Sequence, residues 1–148
     1  QSSSAASDVY KRQTFGGCAG GPAAALENLR IIEDENLVDN AASMGDYLMS
    51  GLRGLKNKHQ CIGDVRGMGL FAGIELVKDR VSKEPEDESV LAQIVAACTQ
   101  RGLLIGRTNR SITGFNNTLA LSPALIAGHA DIDEIIAIID AVLVDLPG

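Results

Sequence analysis

A glycine-rich turn just before a helix start is the sharpest chemical signal in the sequence. Residues 14–22 read TFGGCAGGP, and Pro22 suits the first helical turn because its missing N–H needs no partner there. Bare N–H groups at a helix N-terminus attract anions. The turn therefore predicts a phosphate or carboxylate site. A flexible linker is the alternative, because the spacing is not that of a P-loop.

A second candidate site is a polar loop that contains Arg107 and Arg110. Residues 107–117 read RTNRSITGFNN, in which a glycine and a double asparagine predict a turn. A guanidinium presents a fixed fork of N–H donors that matches a carboxylate. The loop is thus a candidate carboxylate clamp, and ordinary solvated arginines are the alternative.

The other reactive side chains favour structural roles. Lys78 follows an apolar segment directly, but the charges of Asp79 and Arg80 predict a solvated amine rather than the desolvated one of a Schiff-base enzyme. His59 and His129 have no cysteine or carboxylate at the spacing of a nucleophile or a metal site. We therefore expect no metal site.

A second glycine cluster spans residues 67–73 (GMGLFAG). Its spacing differs from that of a dinucleotide-binding turn, and the stretch has the pattern of a strand, so we expect close packing inside a sheet. The preceding Arg66 is expected to pair with an acidic neighbour, with an anion site as the alternative.

The elements that must position these residues begin with a long helix. Apolar residues recur every three to five positions over 26–55, and the charged run 33–36 is expected to bend or split this helix. Residues 64–77 predict a strand, and residues 78–88 predict a charge-dense loop.

The C-terminal half predicts shorter elements. Residues 89–101 predict a helix that ends at Gly102, and residues 102–106 and 118–121 predict short strands. Asp131 and Glu134 resemble a capping box ahead of a last helix over 132–146. The order predicts a small α/β (α+β) fold with a long N-terminal helix and a sheet of about three strands, which helices cover on one face.

The composition excludes several function classes. The 148 residues carry 13 Lys and Arg against 19 Asp and Glu, a net charge of −6, which disfavours a nucleic-acid partner. No apolar run approaches the roughly 18 residues of a membrane span. Cys18, Cys61 and Cys98 lack the spacing of a zinc site or a disulfide framework, so we expect a soluble, cytoplasmic protein.

Residues 1–13 (QSSSAASDVYKRQ) have no helical or strand period, and we expect a disordered tail. The stretch SDVYKRQ resembles translated adaptor sequence from assembled reads, so the tail is expected to be non-native. Residues 14–148 then form one domain.

Three segments together carry a resemblance to a known family. The first is TFGG followed by AAAL (14–26), the second is VRGMGL with GIEL (65–76), and the third is LSPAL with DIDEI (121–135). In this order they resemble the C-terminal part of class III pyridoxal-phosphate aminotransferases of the ω-amino acid type, which have fold type I. The resemblance covers residues 14–146.

The resemblance implies the small C-terminal domain of a homodimeric enzyme. In this family the threonine of the first motif binds the phosphate of pyridoxal phosphate in the neighbouring subunit, which implies that contact for Thr14. An arginine in the loop before the third motif takes the substrate carboxylate in amine- and β-alanine-type members. Arg107 is nearest to that position, and Arg110 is second.

Some positions depart from the family pattern. Cys18 and Ala19 replace a His-Pro or Asn-Pro pair, and Ala124 replaces the second proline of the third motif. Ala120 stands where acetylornithine- and ornithine-type members have an arginine for the substrate carboxylate. Those two substrate classes are therefore disfavoured.

The family's catalytic lysine and its pyridine-ring ligands lie upstream of the first motif. The resemblance therefore implies a fragment, inactive alone, of a transaminase that transfers an amino group between an amine or ω-amino acid and pyruvate or another 2-oxo acid. An aminomutase, racemase or decarboxylase of the same fold is an alternative, and so is a free-standing α/β module that binds anions. A separated domain should expose the apolar surface that normally faces the large domain.

Overall fold

The computed structural model describes residues 20–109 and 112–145, and these contain both helices and strands. The helices are α1 (Gly20–Asp34), α2 (Leu37–Lys58), α3 (Glu88–Gln100) and α4 (His129–Val144). The strands are β1 (Ile62–Met68), β2 (Phe71–Asp79), β3 (Glu84–Pro85), β4 (Gly106–Arg107) and β5 (Thr118–Leu121). The predicted α/β class is confirmed.

The chain divides into two compact units, residues 1–37 and residues 38–148. In the first unit, α1 has no buried residue. The predicted split of the long helix is confirmed, because α1 ends at Asp34 and α2 begins at Leu37. Asn36 between them has a φ of 51°, in the left-handed region that a continuing helix does not use. The predicted tail, residues 1–13, lies outside the described residues.

The second unit contains an antiparallel sheet in the order β1-β2-β5-β4, with β3 paired to the end of β2. The prediction of a single strand over 64–77 is wrong, because β1 and β2 form a hairpin in which Met68 pairs with Phe71. Gly69 has a φ of 54° in the turn, a conformation that glycine adopts without steric cost. The alternating pattern continues on both sides of this turn, so the pattern alone does not indicate where the chain reverses.

The predicted strand over 102–106 is also wrong, because only Gly106 of these residues enters the sheet. Gly102 has a φ of 88° after α3, and the N–H of Leu103 donates to the carbonyl of Cys98. The first residues of the segment thus close the helix end. The strand predicted over 118–121 is confirmed as β5.

The hydrophobic core lies between one face of the sheet and helices α2, α3 and α4, as predicted. Every second residue of β2 points into it, and β5 contributes two leucines; these residues are Ala72, Ile74, Leu76, Leu119 and Leu121. The opposite face carries Met68 and Phe71, which are 88% and 69% exposed. We call this second surface the open face.

Backbone contacts hold the ends of the helices. Arg80 of the loop after β2 donates to four carbonyls near the end of α2, those of Lys56, His59, Gln60 and Ile62. At α4, the carboxylate of Asp131 accepts from the N–H of Gly128 at 2.8 Å. The prediction that Asp131 and Glu134 form the capping box is wrong, because Gly128 is the N-cap and Asp131 is the third residue of a helix that begins three residues before the predicted residue 132.

Candidate functional site

Arg107 is the candidate site residue that the structure describes. It lies in the edge strand β4 and pairs with Leu119 of β5, so its Cβ lies on the helix-covered face of the sheet. The side chain is half-buried, and its Nη1 atom is buried with no hydrogen-bond partner. Among the described residues, no other buried side-chain nitrogen or oxygen lacks a partner.

An unpartnered buried guanidinium nitrogen has a strong affinity for an anion. Removing it from water costs free energy that no protein acceptor returns. The planar N–H fork of arginine offers paired donors to a carboxylate or a similar oxyanion. Arg107 can therefore bind an acidic group and in doing so satisfy its own buried donor.

Polar contacts fix both ends of the loop that follows Arg107. The N–H of Thr108 donates to the carbonyl of Thr118 at 2.9 Å, and the N–H of Thr118 donates to the hydroxyl oxygen of Thr108 at 3.2 Å. Asn117 binds both backbone groups of Leu76, and Asn116 donates to a carboxylate oxygen of Glu88 at 2.8 Å.

The prediction that the double asparagine forms a turn is wrong. Both side chains are buried, and they end the loop rather than reverse it. The turn lies one residue earlier, where the N–H of Phe115 donates to the carbonyl of Ile112 and Gly114 has a φ of 85°. The partners of the asparagines, Leu76 and Glu88, lie far away in the sequence, so spacing alone could not reveal these contacts.

A shallow cavity of about 400 Å³ lies on the open face of the sheet. Small residues lie at its centre, where Gly73 of β2 pairs with Ala120 of β5. The side chains of Met68, Phe71 and Thr118 also line the cavity. Ala120, at the position where the resemblance implies an arginine in acetylornithine- and ornithine-type members, thus faces the open side of the sheet.

Arg66 also borders this cavity, but its charge is already paired. Its Nη1 donates to Glu75 at 2.5 Å and to Asp64 at 3.3 Å. The hydrogen bond to Glu75 raises the pKa of the Arg66 guanidinium. The prediction of an acidic neighbour is confirmed, and the ion pairs leave Arg66 a weaker anion site than Arg107.

Gly67 of β1 packs closely within the sheet, as predicted. A methyl group at Gly67 would lie 2.5 Å from the carbonyl oxygen of Phe71.

Lys78 is exposed and forms ion pairs with Asp87 at 3.0 Å and with Glu84 at 3.4 Å. The hydrogen bonds to these two carboxylates raise the pKa of the Lys78 amine, with Asp87 contributing more. Lys78 is therefore a solvated, protonated residue, as predicted.

His59 differs from its prediction, because the structure gives it a carboxylate partner. It follows the end of α2, is buried, and its Nε2 lies 2.6 Å from an oxygen of Asp140 in α4. The second oxygen of Asp140 accepts from Lys58 at 2.6 Å. Hydrogen bonds from Lys58 and then His59 lower the pKa of Asp140. The cluster joins two helices and touches none of the candidate site residues.

The described residues offer neither a metal site nor a reactive thiol. No group of three or more metal-ligating side chains occurs among them. Cys61 and Cys98 are free, and burial raises the pKa of each thiol, which disfavours the reactive thiolate. None of the helices that the structure describes has the length and apolarity that crossing a bilayer requires. Thr14 and Arg110, the other two predicted site residues, lie outside the described part.

Comparisons with known proteins bear on the whole chain. The family described as aminotransferase class-III matches residues 3–143. A taurine–pyruvate aminotransferase of Bilophila wadsworthia is 62% identical over 135 residues, which are 90% of this chain and 30% of that protein. A hypotaurine/taurine–pyruvate aminotransferase of Paracoccus denitrificans is 58% identical over 130 residues, 88% of this chain and 28% of that protein.

A solved structure has the same fold. An aminotransferase of Bacillus anthracis matches with a TM-score of 0.80 and 41% identity, over 82% of this chain and 27% of that one. The chain therefore spans about 30% of the length of the curated relatives it matches.

Proposed function

Because the chain belongs to the class-III aminotransferase family, we propose that it forms the C-terminal part of a pyridoxal-phosphate-dependent transaminase. In this proposal Arg107 binds the acidic group of the amino donor, and pyruvate is the amino acceptor. The full enzyme requires the catalytic lysine of a longer chain, so residues 1–148 alone are inactive.

The buried, unpartnered Nη1 of Arg107 is the observation that carries this proposal. Arg66, which borders the cavity on the open face, already has two carboxylates. An anion at Arg107 would neutralise a charge that the described residues leave unsatisfied, whereas an anion at Arg66 would compete with Glu75 and Asp64.

The amino donor in this proposal is a short ω-amino acid with a sulfonate or carboxylate, such as taurine or β-alanine. Relatives at 58% and 62% identity are named for taurine or hypotaurine and for pyruvate. A sulfonate presents oxygens to the N–H fork of an arginine much as a carboxylate does. The absence of an arginine at Ala120 supports a donor other than acetylornithine or ornithine.

The described residues do not form a cofactor site by themselves. Lys56, Lys58 and Lys78 are each held by a carboxylate, and none of the described lysines is buried as a Schiff-base lysine needs to be. The cofactor in this proposal is held by the rest of the longer protein, and Thr14 contacts its phosphate in the partner subunit of a homodimer. The free thiols of Cys61 and Cys98 favour a cytoplasmic location for the proposed enzyme, because a reducing compartment keeps thiols unpaired.

In this proposal, the open face of the sheet is the surface that contacts the rest of the enzyme. Met68 and Phe71 are apolar and exposed, and Ala120 lies between them and Thr118. A large exposed apolar patch usually marks an interface. An arginine at position 120, as in the acetylornithine-type members, would extend from this same face.

The experiment compares wild-type and Arg107→Ala enzyme in the full-length, cofactor-loaded protein. Loss of a charge-assisted anion contact should raise the KM for taurine or β-alanine by about ten- to a hundredfold. Arg107→Lys keeps the charge without the fork and should recover part of the affinity. A KM that is the same in wild type and Arg107→Ala would remove Arg107 from the donor site.

A further inference from the structure

The strand that carries Arg107 is too short to hold the side chain in place alone. β4 has two residues, and it makes only the pairs Gly106 with Ala120 and Arg107 with Leu119. It is also the edge strand of the sheet, so none of the strands that the structure describes supports it on its outer side. The position of the guanidinium therefore depends on what fixes the chain just after Arg107.

The first support is the pair Thr108 and Thr118. The N–H of Thr108 and its hydroxyl both donate to the carbonyl of Thr118, at 2.9 and 3.3 Å. The N–H of Thr118 donates back to the Thr108 hydroxyl oxygen at 3.2 Å. These bonds tie the residue after Arg107 to the first residue of β5, which directly follows Asn117.

The second support is Asn117, which holds β5 on the central strand. Its carbonyl accepts from the N–H of Leu76 at 2.8 Å, and its Nδ2 donates to the carbonyl of Leu76 at 2.7 Å. One residue thus satisfies both backbone groups of Leu76 where the regular β2–β5 pairing has ended. Both the side chain and Leu76 are buried, so the bonds are protected from water.

The third support is Asn116, which joins the chain just before β5 to helix α3. Its Nδ2 donates to Glu88 at 2.8 Å, and Glu88 is the first residue of α3. α3 packs against β4 on the face to which Arg107 belongs. The loop end is therefore fixed both to the sheet and to the helix beside Arg107.

We infer that Asn116 and Asn117 are positioning residues, which hold the β4–β5 edge so that Arg107 presents its unpartnered Nη1 to the acidic group of the donor. The inference rests on the proposed function of Arg107. Neither asparagine touches the donor; each acts through the backbone that carries Arg107.

The test measures anion affinity in the full-length, cofactor-loaded enzyme. The probe is 1-propanesulfonate, which has the acidic group of the donor but no amine, as a competitive inhibitor against taurine. Asn117→Ala and Glu88→Ala should each raise its inhibition constant and the KM for taurine by about three- to tenfold, with kcat within about twofold. Glu88→Ala changes an exposed side chain, so it gives a result even if Asn117→Ala does not fold.

Two further variants separate positioning from stability. Glu88→Gln keeps an oxygen acceptor for Asn116 and should restore the wild-type inhibition constant. Asn40→Ala removes a comparable amide, which donates to the carbonyls of Leu125 and Ala127 at 2.7 and 3.1 Å in a different loop. Asn40→Ala should lower the melting temperature and leave the inhibition constant unchanged.

Three results would overturn either the positioning inference or the proposed function of Arg107. Unchanged inhibition constants in both Asn117→Ala and Glu88→Ala, beside a raised constant in Arg107→Ala, would overturn the positioning inference alone. An equal rise in Asn40→Ala would reduce it to a general effect of stability. An unchanged constant in Arg107→Ala would instead overturn the proposed function on which the inference rests.

Discussion

Among the charged side chains that the structure describes, Arg107 is the one with a buried nitrogen, Nη1, that has no hydrogen-bond partner. Arg80 donates hydrogen bonds to backbone carbonyls, Arg66 forms ion pairs with two carboxylates, and Lys78 forms ion pairs with two others. Arg107 has a buried donor without an acceptor among the described residues. A buried donor in that state costs free energy, and ligand binding is the simplest way to recover that cost.

Asp140 allows a prediction about pH at the residue scale. Lys58 and His59 lower its pKa, so their stabilising contribution is present above the ordinary carboxyl pKa and is lost as the pH falls through the lowered one. Asp140→Asn should therefore lower the free energy of unfolding by about 1 kcal/mol at neutral pH. The difference from wild type should shrink below about pH 4.

Urea denaturation at several pH values measures this difference. Asp46→Asn removes one negative charge from an exposed position on α2 and should stay within about 0.5 kcal/mol of wild type. A difference for Asp140→Asn that persists unchanged at acid pH would show that the ion pair is not its source.

At the scale of elements, the sequence predicted the helices better than the strands. The split at 33–36, the end of α3 at Gly102 and the strand over 118–121 follow from local residue types, and all three are confirmed. The β1–β2 hairpin was missed because its reversal depends on Gly69 adopting a positive φ in a run of similar glycines. The roles of Asn116 and Asn117 were missed because their partners, Glu88 and Leu76, come from distant segments.

Close packing of α2 against the hairpin turn gives a prediction at the element scale. A methyl group at Gly45 would lie 2.4 Å from backbone atoms of Gly69, so Gly45→Ala must separate the helix from the turn. We expect a loss of about 1–3 kcal/mol in the free energy of unfolding.

The matched control lies on the same helix. Gly54 has no atom within 4 Å of an added Cβ, so Gly54→Ala should raise helix propensity and stabilise the protein by up to about 1 kcal/mol. Urea midpoints at constant slope measure both changes. Opposite signs for the two variants are expected, and a neutral Gly45→Ala would refute the close approach.

At the scale of the whole molecule, the open face is an exposed apolar surface of the second unit. Met68 and Phe71 project from the sheet face opposite to the described helices of this unit, next to a cavity of about 400 Å³. The relatives are more than three times as long as the matched segment, since it is 30% or less of each. In the proposed transaminase, the rest of the enzyme covers this face.

The separated chain should therefore associate through this face. We expect concentration-dependent association in sedimentation velocity, which Met68→Lys combined with Phe71→Lys should suppress. Val81→Lys is the control, since Val81 is 91% exposed but does not line the cavity of the open face. If Val81→Lys suppresses association as strongly, then general charge rather than the open face is responsible.

The most direct test of the central claim follows the amino group itself. The full-length protein, loaded with pyridoxal phosphate, is supplied with pyruvate and with taurine or β-alanine labelled with ¹⁵N, and alanine is analysed by mass spectrometry. We predict ¹⁵N-alanine from the full-length protein and none from residues 1–148 alone. No labelled alanine from the full-length protein with either donor would contradict the proposed transaminase, and phosphate binding by the isolated chain would then favour a free-standing anion-binding module.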